Sequence, residues 1–378
     1  MEFSPCLKLC RATPVEGGGP RLWYPARMET PDPRLTTEPQ LPVFTEKIRR
    51  NEQITWYRSP LPPGAFKRLH ERSDSRAAVQ TVGYLAILAG TFTLAWTTYG
   101  RVPWWGTLLF VLLHGTVSAF LINGVHELGH GTVFKTKRLN DIFCHVLAFL
   151  GWINHEIFQA SHVRHHRYTL HPPEDLEVVL PVPLMLRDFF FRGTFNWNDF
   201  KVNVLGAIRI ACGRFRGQWE LTLFPPNEPA RRVPPVRWAR IILLGHGAII
   251  AIGIATGHWL LPVLLSGAPY YGGWLFWLCN NTQHIGLCDH VSDFRLCTRT
   301  FTLNPVVRFL YWQMNYHIEH HMYAAVPCYH LHELHRLIEK DLPPTPRGIL
   351  GVWRQIAGIL RKQQADPLYQ YSPPLPAR

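Results

Sequence analysis

The chain has 378 residues, of which 47% are hydrophobic and only 17% charged, and its formal net charge is +13. That average conceals long apolar runs separated by basic stretches, the pattern of a membrane protein with substantial cytosolic parts rather than a wholly soluble one. Eight cysteines without a Cys-x-x-Cys pair argue against a disulfide framework or structural zinc module. Basic residues that follow membrane flanks, with no nucleic-acid motif beside them, argue against nucleic-acid binding.

In chain order, residues 1–43 are rich in Pro, Gly and charge without periodicity and predict a disordered segment. Cys6 and Cys10 are candidate acylation sites there, and with no signal-peptide core the first membrane span is expected to act as the targeting signal. Residues 44–365 read as one domain, because its chemistry-bearing residues are spread across most of its length. Four apolar stretches of about 20 residues, each long enough to cross a bilayer core, fall at 78–99, 104–123, 241–259 and 260–278. The first two are joined by Gly100, Arg101, Val102 and Pro103, and the last two by a turn near Gly257 to Pro262, which predicts two hairpins. Ile142 to Trp152 is apolar but too short to span. Phe200, Val204, Leu205, Ile208 and Cys212 form an amphipathic stripe, as do Ile349, Val352, Trp353, Ile356, Ile359 and Leu360; each suits either lipid or the cytosolic part. The tail, 366–378, holds Pro367, Pro373, Pro374 and Pro376 and predicts a second disordered segment.

Basic residues set the orientation, since Lys and Arg stay on the cytoplasmic side. Lys47, Arg49, Arg50, Lys67, Arg68, Arg72 and Arg76 precede the first span, and the middle loop is basic from Lys135 to Arg237, whereas the first hairpin turn holds only Arg101 and the second no Lys or Arg. Both termini are therefore expected in the cytosol, with the charge facing anionic headgroups and an acidic soluble partner.

Three histidine clusters carry the chemistry: His126 and His130; His162, His165 and His166; His317, His320 and His321. Spacings of three or four residues put the imidazoles on one helical face, so each cluster can aim several rings at one point. Eight imidazoles from three segments suffice for two transition-metal ions. His126-Glu127-Leu128-Gly129-His130 taken alone is also the His-Glu-x-x-His string of a zinc peptidase, but one catalytic zinc takes three protein ligands and the other two clusters would be surplus. Glu127, Glu174, Asp175, Glu177, Asp289 and Glu319 lie where carboxylates can orient imidazoles. Lone His114 and His246, inside predicted spans, read as helix-packing hydrogen-bonders. The aromatic groups Phe189 to Phe191 and Tyr270, Tyr271, Trp274 and Trp277 are candidates for an apolar tunnel or for interfacial anchors.

Assembled in this order with four spans, the three boxes resemble the membrane-bound fatty acid desaturase and hydroxylase superfamily, over roughly Arg76 to His335. With three residues between its histidines, the first box is closer in pattern to acyl-lipid and sphingolipid desaturases. The resemblance implies an all-α integral membrane protein: four transmembrane helices in two hairpins, under a cytosolic helical cap that holds two iron ions. It implies a ninth ligand, His284, and Asn280 reaching a metal-bound water, although either Asn280 or the adjoining Asn281 can instead cap the helix end. It further implies dioxygen as co-substrate and desaturation of an apolar alkyl or acyl chain, with hydroxylation the alternative outcome. Residence in the endoplasmic reticulum membrane, or the inner membrane of a bacterium, follows from the same likeness. With no flavin or nicotinamide fingerprint and no His-Pro-Gly-Gly haem motif in the chain, electrons are expected from cytochrome b5 with its reductase, or from a ferredoxin.

Overall fold

The computed structural model describes residues 54–377 apart from Pro183 and Met185. The expected N-terminal disordered segment, with Cys6, Cys10, Lys47, Arg49 and Arg50, lies outside the described residues. Among the described residues the chain is helical, with isolated β-bridges and no named strand. Three helical stretches, Asp74–Thr98, Trp104–Gly129 and Pro229–Ala255, are long and apolar enough to cross a membrane.

The first, α1 (Asp74–Thr98), begins where Ser73 Oγ accepts the Arg76 N–H and where Asp74 complements the open first turn. The Asp74 carboxylate also accepts from the Thr136 N–H at 2.9 Å and its hydroxyl at 2.7 Å, tying this end to the loop after the first histidine pair. At the other end Gly100 takes φ +73°, which side-chain-bearing residues avoid, and Pro103 leads into α2 (Trp104–Ser118), which packs back on α1. After a break at Ala119 and Phe120 the chain continues as α3 (Leu121–Gly129). His126 thus lies on the continuation of the second span, not beyond its end. Residues 121–128 are all buried, so packing carries the helix past the point where apolarity fades.

Helices α4 (Lys137–Leu150) and α5 (His155–Tyr168) follow, with α4 packed on α3. Two further helices, α6 (Leu186–Gly193) and α7 (Trp197–Ala211), then lead to α8 (Pro229–Ala255). The latter starts well before the expected 241, because arginines extend it: Arg232 donates to Phe224 O at 2.9 Å and Arg240 to Ala211 O at 3.0 Å.

The fourth expected span is not one helix. It divides into α9 (Leu260–Leu265), a 3-10 turn at Ala268–Tyr270, and α10 (Trp274–Asn280). Pro269 lacks the N–H that would continue α9. Gly272 sits at φ +67°, where a Cβ would meet the Leu112 carbonyl at 2.6 Å and the Thr116 nitrogen at 2.9 Å. The loop lies directly on α2, and Thr116 Oγ1 donates to the Gly272 carbonyl at 2.9 Å. The two lone histidines hold these parts together as expected: His114 lies 2.9 Å from both Thr91 Oγ1 and Leu264 O. His246 lies 2.9 Å from Ser266 Oγ and from Phe149 O.

Three C-terminal helices complete the molecule: α11 (His317–Met322), α12 (Leu331–Ile338) and α13 (Gly348–Ala365). The stripe on α13 packs inward, with Val352, Ile356 and Ile359 buried and the Trp353 indole donating to Leu278 O at 2.8 Å. The proline-rich tail departs from the expectation of disorder. The Tyr371 N–H donates to Gly286 O at 2.8 Å, and the Asp289 N–H to Gln370 Oε1 at 3.3 Å, so backbone groups of one loop supply the partners that tie the tail down.

Candidate metal centre

All nine histidines singled out from the sequence converge, and they sort into two groups whose ligand nitrogens lie within 4.8 Å of one another. One group is His126, His130, His162, His166 and His320; the other is His165, His284, His317 and His321. Helical geometry dictates the sorting. On α5 the i, i+4 pair His162 and His166 faces the first group while His165 turns to the second. On α11 the i, i+4 pair His317 and His321 faces the second group while His320 turns to the first.

Five of the rings are oriented through hydrogen bonds at Nδ1. His126 Nδ1 lies 3.0 Å from Glu127 Oε1, His162 Nδ1 2.9 Å from Glu177 Oε1, and His165 Nδ1 2.8 Å from Asp175 Oδ2. His284 Nδ1 lies 2.8 Å from the Cys297 carbonyl. A carbonyl only accepts, as does a carboxylate once ionised, so beside these partners the rings carry their proton on Nδ1 and present a bare Nε2 when the acids are ionised. Thr169 completes the pattern: its hydroxyl donates to His165 O at 2.6 Å, which leaves its oxygen to accept from His321 Nδ1 at 3.2 Å. Glu127 Oε1 also lies 3.4 Å from His320 Nδ1.

Three of the six carboxylates proposed for this work therefore do it: Glu127, Asp175 and Glu177. Glu319 instead pairs with His335 Nδ1 and Thr300 Oγ1, each at 2.5 Å, and Asp289 faces the tail through its N–H. Glu174 meets Arg164 through its carbonyl oxygen. Cys297 O and Thr169 Oγ1 are partners that no sequence pattern points to, because one is backbone and the other a common helix-end hydroxyl.

The Nε2 atoms fit a bound cation. His317 Nε2 lies 3.0 Å from His284 Nε2 and 3.1 Å from His321 Nε2, and His320 Nε2 lies 3.0 Å from His166 Nε2. Those of His126, His130 and His162 are buried without any hydrogen-bond partner. Lone pairs facing one another in a dry interior repel, and buried polar atoms without partners are costly. A metal about 2.1 Å from each nitrogen resolves both, and ligands at right angles on it are roughly 3.0 Å apart. Burial first, then neighbouring imidazoles, hold His162, His166, His317, His320 and His321 well below the ordinary histidine pKa, so they are neutral and ligand-competent at pH 7. At His165 burial acts the same way but the Asp175 carboxylate outweighs it and the pKa rises, while burial pushes Glu177 up to about 7.

Asn280 lines a cavity of ≈ 50 Å³ beside the centre, with His126, His162, His165, His317 and Glu177. Asn281 is the capping residue of the two, its amide donating to Trp277 O at 2.9 Å. Ile122 and Phe276 are shared with a second cavity, lined also by Arg192, Asn196, Asp199 and Tyr270. That one shares Ser118 and Leu121 with a third, apolar cavity of ≈ 370 Å³ between α1, α2 and α9.

The family model for fatty acid desaturase matches residues 103–351. The chain belongs to the fatty acid desaturase family. It is 23% identical over 251 residues to a dihydrorhizobitoxine desaturase of Bradyrhizobium elkanii, covering 64% of this chain and 70% of that one. It is 24% identical over 291 residues to a chloroplastic omega-3 fatty acid desaturase of Glycine max, covering 68% of this chain and 59% of that one. Family membership and the three apolar helices make this a membrane oxidoreductase. The zinc-peptidase alternative finds no support: His126 and His130 share their group with three further histidines, and Glu127 is buried against His126 and His320.

Proposed function

We propose that the chain is a membrane di-iron oxidoreductase that uses dioxygen and two external electrons to desaturate an apolar alkyl or acyl chain of a lipid or lipid-like metabolite. The observation that carries this reading is the pair of imidazole groups, five and four, meeting at one cavity wall. His126, His130, His162, His166 and His320 would hold one iron, and His165, His284, His317 and His321 the other. Such a pair, when bound, supplies the activation of dioxygen needed to take hydrogen from an unactivated C–H bond.

The chain's own residues do the rest. Glu127, Asp175, Glu177, Thr169 and the Cys297 carbonyl fix the tautomers of His126, His165, His162, His321 and His284, so that the Nε2 of each keeps a lone pair for the metal. Asn280 and Glu177 give the cavity its polar wall and hold water there. Ile122, Phe158, Phe276 and Met314 are its apolar wall, which aligns an alkyl chain and excludes other water. The line of cavities toward α1 and α2 supports entry of an apolar chain from the bilayer. Desaturation is preferred to hydroxylation because both relatives bear desaturase names.

The test is purified protein with a matched electron donor and a lipid extract carrying deuterium on adjacent carbons. About two irons per chain, dioxygen consumption and a product lacking one label from each of two neighbouring carbons are expected. One zinc per chain with peptide hydrolysis would sink the reading. Retention of the neighbouring label, with oxygen from labelled dioxygen in the product, would make the enzyme a hydroxylase.

A further inference from the structure

The two histidine groups differ in their access to the surface. In the group of five, His130 and His166 are half-buried, whereas His165, His284, His317 and His321 are all buried. One aromatic route leads outward from that buried group. Phe294, itself buried, has its ring centroid 5.3 Å from that of His321. Trp56 stacks on Phe294 at 4.1 Å with the planes 9° from parallel. The Trp56 indole is half-buried at the protein surface, and its N–H donates to the Arg167 carbonyl at 3.1 Å. The short helix Phe294–Cys297 that carries the inner ring touches the buried group a second time, through the Cys297 carbonyl that orients His284.

The rim of this spot is basic. Arg167 and Arg58 are exposed, Arg58 with its guanidinium 5.9 Å from the Tyr323 ring. Arg164 lies one turn before Arg167, over Tyr168 and Trp219. The neighbouring acids are Asp341, which accepts from the Tyr57 and Ser59 hydroxyls at 2.8 and 2.6 Å, Asp293 beside it, Glu174, whose carbonyl accepts from Arg164, and Asp289 on the tail-binding loop; Asp293 and Asp341 both pair with Arg295, at 2.7 and 3.0 Å. All four carboxylates are half-buried whereas Arg58 and Arg167 are exposed, so in a chain of net charge +13 the charges this face presents outward are basic and attractive to an acidic protein.

We propose that an acidic one-electron carrier docks over Trp56, Arg58, Arg164 and Arg167, and that Trp56 and Phe294 conduct its electrons to the four-histidine group. The stacked Trp56 and Phe294 rings, with the tilted His321 ring beside Phe294, form a continuous line of aromatic side chains from the surface to the buried group. Two carriers each give up one electron. With two protons, one dioxygen and the two hydrogens taken from the substrate, these make two waters and one carbon–carbon double bond. The proposal rests on the oxidoreductase reading above, and its test separates the two.

Iron-loaded full-length protein is mixed without oxygen with reduced soluble cytochrome b5 or reduced ferredoxin, and the carrier's own absorbance reports its oxidation. Dithionite, a small reductant that needs no docking, serves as the bypass. Trp56→Leu is expected to slow carrier oxidation at least tenfold while iron content and the dithionite rate stay at wild-type values, and Trp56→Phe is expected to recover most of the loss. Arg58→Glu with Arg167→Glu should weaken carrier binding and flatten its salt dependence. Wild-type carrier oxidation in Trp56→Leu overturns the route, as does loss of iron in that variant, which would mark Trp56 as structural. If neither carrier reduces the wild-type chain although dithionite does, the docking surface is overturned. If the wild-type chain binds no iron, the oxidoreductase reading itself fails.

Discussion

Asp175 has three tasks within one carboxylate, one of them to accept the Glu177 N–H at Oδ1, 2.9 Å away. Its Oδ2 orients His165 and also accepts the Leu170 N–H at 2.9 Å, and Leu170 sits at φ +56°, a conformation costly for a branched residue. Asp175→Asn keeps an oxygen acceptor but loses the charge that keeps the His165 proton on Nδ1. It should lower metal affinity or activity by about 10–100-fold with the helical circular-dichroism spectrum retained. Asp175→Ala also strands the Leu170 and Glu177 N–H groups and should cost about 1–3 kcal/mol for each, read as a lower thermal midpoint in detergent. Wild-type metal content in Asp175→Asn would show that the carboxylate does not tune this ligand. Glu127→Gln tests the orienting role of that carboxylate: measurable oxidation should persist, since a carboxamide still accepts from His126.

Among the elements, the juncture of α3, α4 and the segment before α11 sets the position of the first histidine pair. Gly124, two residues before His126, faces Leu147 on α4 and the buried Trp312 ring, and a Cβ there would meet Trp312 Cζ2 at 2.7 Å. Gly124→Val must therefore displace a helix or a tryptophan. It should destabilise the protein by about 1–3 kcal/mol and reduce bound metal. An unchanged melting midpoint with full metal content would mean that the helices have room to separate. The same scale explains the broken fourth segment, where Pro269 and Gly272 let the chain leave the helix and lie on the α2 backbone.

For the whole molecule, orientation is the property that the mechanism depends on. The far ends of the apolar helices meet: the Tyr99 ring lies 5.3 Å from Trp259, and Trp96 5.5 Å from His258. Both turns are poor in Lys and Arg, whereas the opposite ends are rich in them. Reporter fusions after residue 70, within 190–230 and at the C-terminus should therefore report cytosol, and tags near Gly100 and Gly257 the opposite side. A lumenal middle loop would separate the histidines from any cytosolic electron carrier and end the proposed mechanism.

The sequence by itself determined which residues meet. Three clusters at helical spacing, with His284 brought in by family likeness, named all nine imidazoles, because i, i+3 and i, i+4 spacing places them on one face before any tertiary contact forms. Apolar length likewise located three membrane-length helices. Only the tertiary structure decided how the nine divide into five and four, since that depends on how α3, α5 and α11 are rotated against one another. It also decided that Cys297 O and Thr169 serve where Glu319 does not, because a backbone carbonyl carries no residue signature. The fourth segment and the tail follow the same logic. Hydropathy counts apolar side chains, but whether a stretch continues as a helix is settled by where its backbone N–H and C=O groups find partners.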